Sequence, residues 1–533
     1  MKRYCKALSL AVALLTAHCS LFLAGCTDDL DIVRQGVIDT DDFYQTDTEA
    51  LEAVTYCYTL LSNLQMRDML NCLSGDAIAG GAVRGEMQSL EEIADFSFGV
   101  ENAQIESAFS GLYDMVYAAN LVINKVEPDT DAKQQYIAEA RFFRAYAYYD
   151  LAVLWGDVPL LTAPIEDGNY SVARDPVEDV WALVISDLEE AIASGYLTQK
   201  SSVDDEEGSI RITLQTAQTL LAKVYMTQGD YDSAISLLES VVNSGLYALA
   251  DCSVGALHQA PQDYNSEAML FINLLNDGSA DNGGFYFNGI GPNIREGAFD
   301  GITSGLWYAG TIDLFYIGYG YIAPTAKLYQ AFVDNGEETE GTRRTSTLKT
   351  TEEMEEFCGE FSTGKVWPYD NYWNWKQHLD RNSYVADSFA GFYANVTIMR
   401  YAEVLLLLAE AKIQKSGAGA GDEYINMTRV RSGLAEGSGF TLDDLKLEKR
   451  CEFALEALHY FDLLRWDDAR TELADQGETY PLISRYEDVN DGEVTVTYVA
   501  NSVYGWKEKH ITLPIPQEEL DVNPNMTQTE AWL

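Results

Sequence analysis

Residues Leu23-Ala24-Gly25-Cys26 set a thiol directly after two small residues, and the chemistry of that spacing is acylation. Small side chains at Ala24 and Gly25 let a peptidase grip the backbone, the Cys26 thiol takes a diacylglycerol, and cleavage frees its amine for a further acyl chain. Lys2, Arg3 and Lys6 precede an apolar run of about 16 residues, short of the ~20 that span a bilayer and typical of a secretory signal. Residues 1–25 are therefore expected to be a cleaved signal and Cys26 the lipidation site. Several acyl chains anchor stably where one holds reversibly.

Few other side chains are spaced for chemistry. Once Cys5 and Cys19 leave with the signal and Cys26 is acylated, Cys57, Cys72, Cys252, Cys358 and Cys451 remain, an odd set without a C-x-x-C pair. Neither a disulfide framework nor a zinc site is indicated. Cys57 and Cys72 can pair if their elements meet; buried free thiols are the alternative. His258, His378, His459 and His510 are scattered without a second ligand at helical spacing, so no histidine-held metal and no cofactor is expected, while oxygen ligands for calcium are too common here to pick out. Arg400, Glu403 and Glu410 lie along one helical stretch, and Glu448, Arg450, Glu452 and Arg465 along another. Acids and bases so spaced pair with each other or with helix ends, which makes them structural ion pairs and leaves no catalytic residue.

Charge narrows the partners. The 84 acidic residues outnumber 35 basic ones for a net charge of −49, which becomes −52 without residues 1–25, whose only charges are Lys2, Arg3 and Lys6. Nucleic acid and anionic lipid head groups both need a basic surface. Neither is expected as a partner.

The elements that must position any site are helical. Residues 26–44 open Cys26-Thr27-Asp28-Asp29 and read as an acidic tether. Thr46-Asp47-Thr48-Glu49 is a capping box, with Ala53, Val54, Cys57, Leu60, Leu61 and Leu64 on one face of the helix it starts. Leu221-Ala222, Tyr225, Gly229, Ala234 and Leu238 have tetratricopeptide-type spacing, with small residues where two helices approach and glycine at the turn. Similar pairs join Glu139–Trp155 to Val180–Ala193 and Arg400–Ile413 to Asp422–Ser432. Leu405 to Leu408 leave almost no polar face, so their helix belongs at the centre of a stack. The expected fold is mostly α, with tetratricopeptide-like pairs at 45–250 and 396–533. Residues 251–395 form a loop-rich insertion crowded with Phe285, Tyr286, Phe287, Trp307, Tyr308, Phe315, Tyr316, Tyr319, Tyr321, Trp367, Tyr369, Tyr372, Trp373 and Trp375.

Across the mature length the chain resembles the SusD/RagB family of outer-membrane nutrient-binding lipoproteins. The segment RFFRAYAYYDLAVLWGDVPLLT (Arg141 to Thr162) is similar to the family's arginine-aromatic helix ending in a Gly-Asp-x-Pro turn. Asn265-Ser266-Glu267, Arg343-Arg344, RYAEVLLLLAEA (Arg400 to Ala411), Glu448-Lys449-Arg450 with Glu452 and Glu456, Asp462 to Trp466 and Leu513-Pro514-Ile515-Pro516 follow in the family's order. Ala457-Leu458-His459 depart from it, where an arginine and a glycine are common.

The resemblance implies a noncatalytic surface binder that takes a glycan, or less often a peptide or other nutrient, and passes it to a SusC-like TonB-dependent transporter over which it sits. It implies an outer-membrane address, lipid-anchored and facing outward. Sugar rings present apolar C–H faces to aromatic residues and hydroxyls to polar ones. The expected stacking platforms are Tyr286, Trp307, Tyr308, Tyr316 and Trp373, with Asp76 and Arg84 of the loop Ser74 to Gly85 as polar partners. A surface glycoside hydrolase is the enzymatic alternative, and it would require two carboxylates facing across a cleft.

Overall fold

The structure, a computed structural model, describes residues 43–533 except 62–64, 80–84, 86, 166–170, 275–320, 359–363, 367–369, 379–393, 486–493 and 504. The first helix, α1 (Asp47–Leu60), starts at the capping box: Glu49 N donates to Thr46 Oγ1 at 3.2 Å and Thr46 N donates to the Glu49 carboxylate at 2.7 Å. It is followed by α2 (Gln65–Leu73), α3 (Gln88–Ala94), α4 (Ala103–Lys125), α5 (Asp131–Trp155) and α6 (Val177–Ser194). The helices α7 (Leu214–Thr227) and α8 (Tyr231–Ser244) form the tetratricopeptide-type pair. Polar caps begin most of them: Asn102 for α4, Thr130 for α5, Thr213 for α7 and Asp230 for α8 each accept a bond from the first turn. Gly229, between α7 and α8, has φ +76°, a left-handed conformation that a Cβ would strain.

These helices form one continuous row. The pairs α4–α5, α5–α6, α6–α7 and α7–α8 pack in sequence, and α1 lies against α4 and α5. The C-terminal helices α11 (Tyr401–Ser416), α12 (Asp422–Arg431) and α13 (Leu442–Glu452) continue it, since α11 packs on α8, α12 and α13, while α14 (His459–Arg465) packs on α2. Buried residues run all round α11 from Tyr401 to Ala411, as its leucine run requires. The α11–α12 approach is close enough that a Cβ at Gly421 would stand 2.8 Å from the Ala409 carbonyl oxygen. Arg144 of α5 staples the row internally, with Nε and Nη2 each 2.7 Å from the Asp187 carboxylate of α6 and Nη1 2.7 Å from Asn120 Oδ1 of α4. The C-terminal Leu513-Pro514 closes on α5, where Leu513 N donates to Leu154 O at 2.8 Å and Trp155 Nε1 to Pro514 O at 2.9 Å.

Cys57 and Cys72 are separate buried thiols, not a disulfide. Burial first, then Glu139, pushes the Cys57 thiol up to about 12, far from a reactive thiolate.

Residues 251–395 carry more regular structure than a loop-rich insertion implies. Between them lie β2 (Ala268–Ile272), β3 (Ile322–Pro324), α9 (Ala326–Asp334), α10 (Arg343–Thr347), β4 (Leu348–Thr350), β5 (Gly364–Val366) and β6 (Tyr372–Asn374). The sheets stitch them to distant chain: β3 pairs antiparallel with β1 (Ala77–Ala79), and β2 with β7 (Val396–Arg400). The strand β4 pairs with β6, and β5 joins β8 (Thr479–Arg485) and β9 (Val494–Ala500). Among the described residues no helix is long and apolar enough to cross a membrane.

Candidate functional site

Of the expected site residues, Cys26, Arg84, Tyr286, Trp307, Tyr308 and Tyr316 lie outside the described residues. The other two are placed, and both are buried. Trp373, on β6, is 0% exposed and its Nε1–H donates to Thr351 Oγ1 at 2.9 Å. Its ring is consumed by packing and its polar edge is satisfied, the usual fate of a buried tryptophan. Asp76 is 1% exposed, accepts from Arg450 Nε at 2.9 Å and Nη2 at 2.7 Å, and stands 2.7 Å from His459 Nδ1. Burial opposes ionisation of Asp76, but Arg450 and His459 outweigh it and hold the carboxyl down at about 2. Asp76 thus joins β1 to α13 and α14 instead of rimming a site, and the same pairing gives His459 a structural task.

Helix α13 organises a buried charge network among the described residues. Glu448 and Glu452 on it, and Glu456 just past its end, are all buried. Arg343 of α10 donates to Glu448 at 2.8 Å, to Glu452 at 2.7 Å and to Glu337 at 2.6 Å. Arg400, at the end of β7, reaches Glu456 at 2.8 Å, Glu452 at 2.6 Å and Glu267 at 3.2 Å. Arg431 pairs with Glu267 and Glu452, and Lys376 with Glu456. Burial would raise Glu452 and Glu456, yet the surrounding arginines and Lys376 hold both well below the ordinary carboxylate range. Such carboxylates stay ionised and cannot donate a proton near neutrality.

A second cluster gathers on α11. Glu410 accepts from Trp466 Nε1 at 2.8 Å and from Lys449 at 3.3 Å, and it pairs with Arg465. Lys223 of α7 reaches Glu403 at 2.8 Å. The ion pairs expected from sequence are therefore present, but with different partners. Arg400 ends β7 and does not pair with Glu403 of α11; its partners Glu267, Glu452 and Glu456 all come from other parts of the chain. Lys376, Lys223 and Glu337 carry no local signal, because their partners lie elsewhere in the chain.

One buried acid stands apart. Asp150 of α5 is 5% exposed and makes no hydrogen bond among the described residues. It lines a cavity of about 80 Å³ shared with Arg67, Lys223, Tyr146 and Glu456, into which the buried Arg67 Nε also brings an unpartnered N–H. Burial, only partly offset by Lys223, pushes the Asp150 carboxyl up to about 7.

Comparison with known proteins fits this architecture. Residues 371–532 match a family described as the SusD family, and residues 43–226 match one described as starch-binding, associating with the outer membrane. A SusD-like protein of Bacteroides ovatus is 27% identical over 495 residues, covering 85% of this chain and 82% of its own. SusD-like protein P2 of Formosa agariphila is 25% identical over 480 residues, 84% of this chain and 88% of that one. Among solved structures, a laminarin-binding SusD-like protein superposes with a TM-score of 0.73 at 21% identity, covering 91% of this chain and all of that one. Surface glycan-binding protein A from Bacteroides thetaiotaomicron in complex with laminarihexaose gives 0.70 at 20% identity, over 90% of this chain and 99% of that one. Both of these solved structures are of proteins named for binding. With its row of tetratricopeptide-like pairs and both family matches in register with the sequence landmarks, the chain belongs to the SusD/RagB family.

Proposed function

We propose that the protein is a lipid-anchored, outward-facing outer-membrane receptor that captures a neutral glycan and passes it to a TonB-dependent transporter. The observation that carries this reading is the aromatic density between Phe285 and Tyr321 in a chain of this family. The names of similar proteins, laminarin and laminarihexaose binders among them, support it. Each stacked ring contributes ~0.5–1.5 kcal/mol beyond burial, so two or three platforms with a few hydrogen bonds give roughly micromolar to millimolar affinity. Weak capture suits a relay that must release its cargo. The acidic residues after Cys26 resemble the surface-export signal of such lipoproteins, and the acyl anchor keeps receptor and transporter at a high effective concentration.

Cys26 and Trp307 test the two halves. Cys26→Ala is expected to abolish palmitate labelling and release the protein from the membrane fraction; retention in that fraction would contradict the anchor. Trp307→Ala is expected to weaken glycan binding about two- to tenfold with an unchanged melting temperature. An equal loss of stability would assign Trp307 to packing instead.

A further inference from the structure

The scaffold itself contains an open groove of about 360 Å³ between the end of α5, the start of α6, α14 and the segment at Ile511-Thr512. Among the described residues, none of 251–395 lines it. We propose that this groove is a second saccharide site that takes one or two neutral pyranose rings; the ligand class rests on the glycan reading above.

Its size lies within the range of small-ligand clefts. Trp181 and Phe461, both partly exposed, flank the buried Tyr149, with ring centroids 5.9 Å and 6.0 Å from it. Aromatic faces left open on a concave wall suit the C–H faces of a sugar. Hydroxyl partners stand at the groove as well. Thr227 Oγ1 donates inward to Lys223 O at 2.9 Å and is hydrogen-bonded with the Tyr149 hydroxyl, and Thr512 Oγ1 has no hydrogen-bond partner among the described residues.

Charge decides between a neutral and an anionic ligand. Arg465 is the cation of the lining, and its guanidinium is already committed to Glu410 and Asp462. Asp467 adds an exposed carboxylate paired with Arg470, whose guanidinium is itself shared with Glu508, and the chain carries a net charge of −49. A carboxylate or phosphate on the ligand would meet repulsion and no free partner, whereas a neutral polyol meets neither cost.

The test uses the mature chain from Thr27 onward, which keeps every described residue, labelled with 5-fluorotryptophan. The Trp181 resonance is assigned from the Trp181→Phe variant. Laminarihexaose, methyl β-glucoside and glucuronate are the titrants, with an apolar decapeptide as a control. Saturable movement of the Trp181 signal with a neutral saccharide and not with glucuronate is expected, with affinity at that signal falling about two- to tenfold in Phe461→Ala. A silent Trp181 beside other tryptophans that move would overturn the groove and leave the glycan reading standing. Movement with the peptide alone would also overturn it. If no tryptophan responds to any saccharide, both readings fall.

Discussion

Replacing Arg343 with methionine is expected to cost about 3–5 kcal/mol of stability, read as a lower urea midpoint at unchanged slope. The Arg343 side chain is fully buried, and its nitrogens bond the carboxylates of Glu337, Glu448 and Glu452. Glu448 keeps Thr428 and Asn335, and Glu452 keeps Arg400 and Arg431. Among the described residues, the Glu337 side chain keeps only the Asn335 amide at 2.8 Å. Methionine conserves much of the volume, so the loss reports the stranded carboxylates and not a cavity. The double variant Arg343→Met with Glu337→Gln should recover part of it. A loss below about 1 kcal/mol, the level of an exposed pair, would refute the view that this network bolts residues 337–350 onto α13.

Asp150→Asn is expected to stabilise the protein at pH 8 and to change little near pH 4. With a folded pKa of about 7 against ~3.9 unfolded, the folded chain holds a proton that the unfolded chain releases. Stability therefore falls as pH rises from about 4 to about 7, and the penalty is complete above that. A gap of that size between the folded and unfolded values corresponds to about 4 kcal/mol at most. Lys223 faces the carboxyl but already serves Glu403, and Arg67 and Glu456 line the same cavity. Urea unfolding at pH 5 and pH 8 measures the effect. A variant less stable than the parent at pH 8 would show instead that Lys223 holds Asp150 ionised.

Asp76 gives the opposite sign. Its depressed folded pKa of about 2 contributes stability that is fully present above ~4 and is lost as pH falls toward 2. Asp76→Asn should therefore remove most of the protein's advantage at pH 6 and little of it at pH 2.

The helix pairs are legible in the sequence because their determinants are local. Thr46 and Glu49, Gly229 with Ala222 and Ala234, and the Leu405–Leu408 run each act within a few residues, and each does what its spacing predicts. The charge network is legible only in kind. Spacing along a helix suggests that Arg400 and Glu403 are neighbours in an ion pair, but Arg400 sits at the end of β7 and faces Glu452 and Glu456 across the core. Pairings between residues so distant in the chain follow from topology, which periodicity does not encode. Trp373 and Asp76 mislead for a related reason. A tryptophan or an aspartate has the same composition signal in a binding site and in a core, and only the β4–β6 pairing and the Arg450 contact separate the two. The groove at Trp181 and Phe461 leaves no trace in sequence, since the two residues lie on helices far apart in the chain.

The central claim is that the protein binds a neutral glycan without cleaving it. Isothermal titration of the mature chain from Thr27 onward against neutral polysaccharides, acidic polysaccharides and peptides, with chromatography of the same mixtures, tests it most directly. Saturable binding of at least one neutral glycan at roughly micromolar to millimolar affinity, with no product released, is the predicted result. Binding confined to peptides, or the appearance of cleaved oligosaccharide, would contradict it.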